Sequence, residues 1–153
     1  MDFVESKLVE LKETIVDDIK KEVIAFINSE GGNLYVGVAD DGHVIGLDDP
    51  QSDMLRLTNM IRDTIKPDAT MFVECQIEKI DTKDIVRVQV QKGTHAPYYL
   101  VGKGIRPEGV FVRQGTSSVP ASEDAIRRMI KESDGDCFET MRSLNQDLSF
   151  ETL

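Results

Sequence analysis

The sequence predicts an α+β domain in which about three helices are set among short, largely antiparallel strands, and three observations lead there. Ile15, Ile19, Val23, Ala25, Phe26 and Ile27 recur near helical spacing, while Asp17, Asp18, Lys20, Lys21 and Glu22 fill the opposite face. Met71 to Ile80 and Asp84 to Gln91 are rich in β-formers and are separated by the turn-like Asp81-Thr82-Lys83, which predicts an antiparallel hairpin. The chain has 153 residues, enough for one domain with a real core, and shows no internal repeat.

Taken in order, Val4 to Lys12 mixes apolar and charged positions and reads as an extended segment. The amphipathic helix follows, and Gly31-Gly32 suits its end, where glycine closes the last turn without a Cβ penalty. Leu34 to Val38 is a short strand that runs into Asp40-Asp41-Gly42, a hairpin-turn signal, and Val44 to Leu47 is a short return strand. Leu55, Leu57, Met60, Ile61 and Ile65 mark a helix from about Gln51 to Ile65, and Pro67 fits its termination. After the central hairpin, Pro97 to Val101 and Gly109 to Arg113 are further strands, the first followed by a bend at Gly102-Lys103-Gly104. Gln114 to Ser118 reads as a polar loop. Ser122 is the expected N-cap of a final helix over Asp124 to Glu132, with Glu123 and Asp124 in its first turn. Residues 1–132 are thus expected to form one domain. Residues 133–153 are read as a linker or the start of a following domain, in a chain cut short of its full length.

Composition narrows the function classes. No run of about 18 apolar residues is present, and no basic stretch leads into an apolar one at the N-terminus, so no membrane association is predicted and the expected compartment is cytoplasmic. Cys75 and Cys137 lack close cysteine partners, which argues for two reduced thiols over a disulfide or a zinc site. The net charge of −10 is unevenly spread: Lys92 to Lys131 holds 7 Lys and Arg against 3 Asp and Glu, and acidic segments flank it. Lys103, Arg106 and Arg113 flank glycines in a strand-rich region, where their side chains can converge on one surface and meet phosphates.

Motifs for other chemistry are missing. Neither Gly31-Gly32 nor Gly102-Lys103-Gly104 matches a phosphate-binding loop, and no serine occupies a Gly-x-Ser-x-Gly elbow. His43 lies in a turn and His95 in a polar loop. Glu5, Glu10 and Asp40 could converge if the N-terminal segment pairs beside the Leu34 to Val38 strand. A carboxylate cluster of that kind suits Mg²⁺ or Mn²⁺, which take oxygen ligands and assist phosphodiester cleavage. Solvated carboxylates at turns and strand edges are the plainer alternative.

Glu5-Ser6, Glu10-Leu11-Lys12, Ala25-Phe26-Ile27-Asn28-Ser29-Glu30-Gly31-Gly32, Gly37-Val38-Ala39-Asp40 and Arg113-Gln114-Gly115-Thr116 together resemble the Schlafen-type Alba-like domain. This module is assigned to DNA binding in many bacterial regulators and occurs in animal Schlafen proteins. The resemblance covers roughly Met1 to Lys131 and implies helices packed on a mixed sheet. It also implies a nucleic-acid-binding role in a bacterial transcriptional regulator, with DNA or RNA as partner; the residues expected to contact it are Lys12, Lys103, Arg106 and Arg113. Nuclease-active relatives cleave RNA with two glutamates and a later aspartate, positions that match Glu5, Glu10 and Asp40 here. By that resemblance a divalent-metal-dependent endoribonuclease is the alternative, with those three residues as catalytic groups and ligands of Mg²⁺ or Mn²⁺. The animal proteins pair two lobes around a basic valley, so a comparable groove here calls for a homodimer. A third expectation, from the overall acidity, is an interaction or sensor domain that signals to downstream domains of the same protein.

Overall fold

The computed structural model describes residues 3–133, and the expected mixture of helices and strands is its architecture. In chain order the elements are β1 (Val9–Lys12), α1 (Ile19–Ile27), β2 (Gly32–Val36), α2 (Pro50–Thr64) and β3 (Ile65–Lys66). After a 3-10 turn at Thr70–Phe72 come β4 (Val73–Ile80), β5 (Lys83–Val90), β6 (Tyr99–Leu100), β7 (Phe111–Gln114) and β8 (Ser117–Pro120). A further helix, α3, covers 123–133.

Four strands form the main sheet in the order β1-β2-β5-β4. Only β1 and β2 run parallel, with Glu10 opposite Leu34 and Lys12 opposite Val36; the other pairs are antiparallel. Strand alternation then decides the two faces. Leu34, Val36, Val86, Val88 and Val90 enter the main core with α1 and α2, whereas Leu11, Val38 and Ile85 join Phe3 in a smaller cluster on the other face. Because Glu10 and Lys12 share a face with Leu34 and Val36, both point toward α1.

Local chemistry explains the boundaries. Gly31 ends α1 with φ +80° and donates to the Phe26 carbonyl at 2.8 Å, and a Cβ there would lie 2.6 Å from the Val90 carbonyl oxygen. Asp49 caps α2 by accepting from the Ser52 amide at 3.2 Å, and Pro50 takes the first helical position. Asp81 and Thr82, at φ 51° and 70°, make the tight turn between β4 and β5. Ser122 caps α3 by accepting from the Ala125 amide at 3.1 Å. Through Ile126, Ala125 and Met129, α3 packs on Val110, Val112 and Ala121.

Two expectations change. Gln114 to Ser118 is not a loop: Arg113 pairs with Ser118 and Gln114 with Ser117, because Gly115 at φ +61° reverses the chain tightly enough for β8 to return. Val44 to Leu47 forms only a single bridge, Val38 to Val44, before the amides of Ile45 and Gly46 both turn onto the Gly37 carbonyl. No helix among the described residues is long and apolar enough to cross a membrane. Cys137 and the segment expected to be a linker lie outside the described residues.

Candidate nucleic-acid interface

Between β6 and β7 the chain makes a compact loop, 101–109, closed at its base by the Leu100 amide on the Gly109 carbonyl at 3.0 Å. Inside it, the amides of Lys103 and Gly104 donate to the Leu100 carbonyl, and those of Gly109 and Val110 to the Arg106 carbonyl. Gly102 and Gly104 adopt φ +89° and +78°, a region that a side chain would strain. With its backbone groups tied in this way, the loop presents Lys103, Ile105 and Arg106 to solvent beside the half-exposed Val101. Its neighbour is the end of α2, where the Thr64 carbonyl accepts from the Val101 amide; β3 follows, with exposed Lys66 opposite Tyr99. Among the described residues Lys66, Lys103 and Arg106 make no ion pair. Glu108 is the acidic residue on the loop and is also exposed. Lys103 and Arg106, expected from the sequence as phosphate contacts, are exposed here, and Lys66 is a further exposed cation on the strand that pairs with β6.

Arg113 goes elsewhere. Its side chain is 0% exposed, and its guanidinium lies 2.8 Å from Glu10 Oε1 and 3.5 Å from Glu22 Oε1. It stacks over the Phe26 ring at 4.7 Å, and its main-chain amide donates to Ser29 Oγ at 3.0 Å. Lys12 completes the cluster, with Nζ 3.1 Å from Glu22 Oε2 and 3.7 Å from Glu10 Oε2. The expectation that Arg113 and Lys12 face a phosphate backbone is therefore corrected, since one is buried and both are engaged by carboxylates. Burial pushes the Glu10 carboxyl up to about 7 against the opposing Arg113 hydrogen bond, with the charges of Glu22 and Glu5 adding to the rise. For Lys12 burial acts downward, but the hydrogen bond and charge of Glu22 prevail and hold its pKa above the ordinary value.

Other residues of the same motifs serve the same junction. The Asn28 side-chain amide donates to the carbonyls of Tyr98 and Phe111 at 3.0 and 3.1 Å, and its oxygen accepts from the Tyr98 amide at 2.8 Å. The Asn-Ser pair after α1 thus reads the backbone of β7 and the approach to β6. The family model described as Schlafen, AlbA_2 matches residues 5–122. The chain belongs to this family.

Sixteen solved chains match the fold. One is the N-terminal domain of a RecG-related protein from Nitrosomonas europaea, named for an ATP-dependent DNA helicase, at 27% identity and TM-score 0.53, covering 71% of this chain and 79% of that one. Another is the DIP2311 protein of Corynebacterium diphtheriae, at 20% identity and TM-score 0.57, covering 75% of this chain but 25% of that one; this likeness shows the fold alone. No curated protein matches the chain.

In this Schlafen/AlbA_2 domain the residues expected to bind metal do not fit one. Glu10 is committed to Arg113 and Lys12, Glu5 Oε2 accepts from the Leu11 amide at 3.3 Å, and Asp40 is exposed on the turn beyond Val38. Among the described residues no three His, Cys, Asp or Glu side chains are grouped to hold a metal ion. Glu5 does come close enough to Glu10 to raise its carboxyl, and a second carboxylate joins Glu10 as well: Glu22, which the helical pattern assigned to the solvent face. A signal was present: Glu22 lies one turn from both Ile19 and Phe26, on the buried stripe.

Proposed function

We propose that the domain is a nucleic-acid-binding module of a bacterial transcriptional regulator, using Lys66, Lys103 and Arg106 to contact phosphates. The observation that carries this reading is the loop 101–109, which holds Lys103 and Arg106, unpaired among the described residues, on hydrogen-bonded backbone. Membership of the Schlafen/AlbA_2 family and the likeness to the N-terminal domain of a RecG-related protein support it. A net charge of −10 opposes phosphate binding at long range, so affinity rests on this local patch and falls as salt rises. In such a regulator the domain would act in the cytoplasm, hand occupancy on to downstream domains and, as a homodimer, offer two patches to one nucleic acid.

Fluorescence anisotropy with labelled duplex DNA and with RNA, across a salt series, tests the reading. The chain is expected to bind at low salt, and replacing Lys66, Lys103 and Arg106 together by alanine is expected to flatten the log–log salt slope by about 3. Absence of binding to both ligands, or an unchanged slope in the triple variant, overturns it.

A further inference from the structure

Six oxygens surround the Arg113 guanidinium. The carbonyls of Ser6, Lys7 and Val9, at 2.7, 3.3 and 3.4 Å, come from the turn that leads into β1. Glu10 Oε1 at 2.8 Å, Glu22 Oε1 at 3.5 Å and Ser118 Oγ at 3.0 Å complete the set. Three carbonyls, two carboxylates and a hydroxyl form a donor set that a hard divalent cation would take. Here a side chain of the protein fills it, and the ring of Phe26 covers the guanidinium face.

The charges alternate around the cluster. Glu10 turns one oxygen to Arg113 and the other to Lys12, and Glu22 does the same. With Glu10 ionised, these two carboxylates face two cations, and Glu5 stands close enough to Glu10 to add a third acidic group at the rim of the cluster. A metal ion entering this space would meet two fixed positive charges within a few ångströms. Nor could Arg113 swing out without leaving two buried carboxylates under-compensated and the Lys7 carbonyl without its guanidinium donor, although the Ser6 and Val9 carbonyls keep each other's amides.

We propose that this cage is a cation site permanently occupied by Arg113, which does in this chain the structural work of a bound metal and clamps the β7–β8 hairpin to β1 and α1. Glu10 is then a ligand of the resident guanidinium and not of Mg²⁺ or Mn²⁺, and the glutamate motif shared with nuclease-active relatives serves folding here. The proposal is independent of loop 101–109, and the two can fail separately.

The test has two arms. In the first, the wild-type chain, labelled with ¹⁵N, is titrated with millimolar Mn²⁺; the amides of Val9 to Leu11 are expected to keep their intensity. Selective broadening there that disappears in Glu10→Gln overturns the proposal. In the second, Arg113→Ala is expected to lower the melting temperature by roughly 10 °C or more. Millimolar methylguanidinium should recover part of that loss, and an equal concentration of methylammonium should not. A variant as stable as wild type, or one rescued equally by both cations, counts against the cage. Should the alanine variant fail to fold, Arg113→Lys supplies the readout: it keeps the charge but not the fork, so wild-type stability in it would refute the proposal, and a clear loss would support it.

Discussion

Arg113 and Arg106 come from the same basic third of the chain, flank glycines in the same way and have opposite fates. Arg106 stands on a loop whose hydrogen bonds are satisfied by its own backbone, so its guanidinium is left to solvent. Arg113 stands in the middle of a strand that packs on α1, so its guanidinium must find partners inside or be excluded from the core. The difference teaches that a basic cluster in a sequence is not yet a basic surface. A strand position facing a helix turns a cation into a structural group, while a glycine-hinged loop leaves it available to a ligand.

The sharpest way to break this contrast is to remove each arginine in turn. Arg113→Ala is expected to cost about 3–5 kcal/mol in denaturant unfolding, the range for stripping one partner from a buried ion cluster. Arg106→Ala, as an exposed change, should stay within about 0.5 kcal/mol while weakening nucleic-acid binding. Equal losses of stability would erase the distinction. Next in size is Asn28→Ala, which deletes three hydrogen bonds to the backbone around Tyr98 and Phe111 and should cost roughly 2–3 kcal/mol, read from the urea midpoint.

Acidity probes the buried side of the contrast more gently. Burial raises the Glu10 carboxyl from 4.5 to about 7 in the folded chain, so between those values the folded state holds a proton that the unfolded state has released. This contribution to stability is complete below the unfolded pKa and is lost as pH rises through the folded one. Wild type is thus expected to lose on the order of 2 kcal/mol, relative to Glu10→Gln, between pH 4.5 and 8. Parallel stability curves for the two proteins would show that Glu10 titrates as a solvated carboxylate.

Much of the fold was legible because it is written in local periods. Helical spacing in α1 and α2, the β4–β5 hairpin and the Ser122 cap all depend on residues near one another, and each forms where its pattern lies. The β7–β8 hairpin was hidden because polar serines at its return look like loop, and what makes them strand is Gly115 and pairing with Arg113 and Gln114. The return strand after Asp41 was over-read for the converse reason, since Gly46 at φ +89° turns the backbone out of line.

The family motifs and the basic third could be read from the chain alone, as could the exposure of Lys103 and Arg106, because local glycine chemistry suffices to place them at the surface. Only the tertiary structure decided which charges meet. The parallel pairing of β1 beside β2 turns Glu10 and Lys12 toward α1, and the packing of β7 on α1 brings Arg113 onto Glu22. No spacing along the chain encodes those encounters. In an interior of low dielectric, charges brought together this way must pair with one another, and that requirement made Glu10 a partner of Arg113.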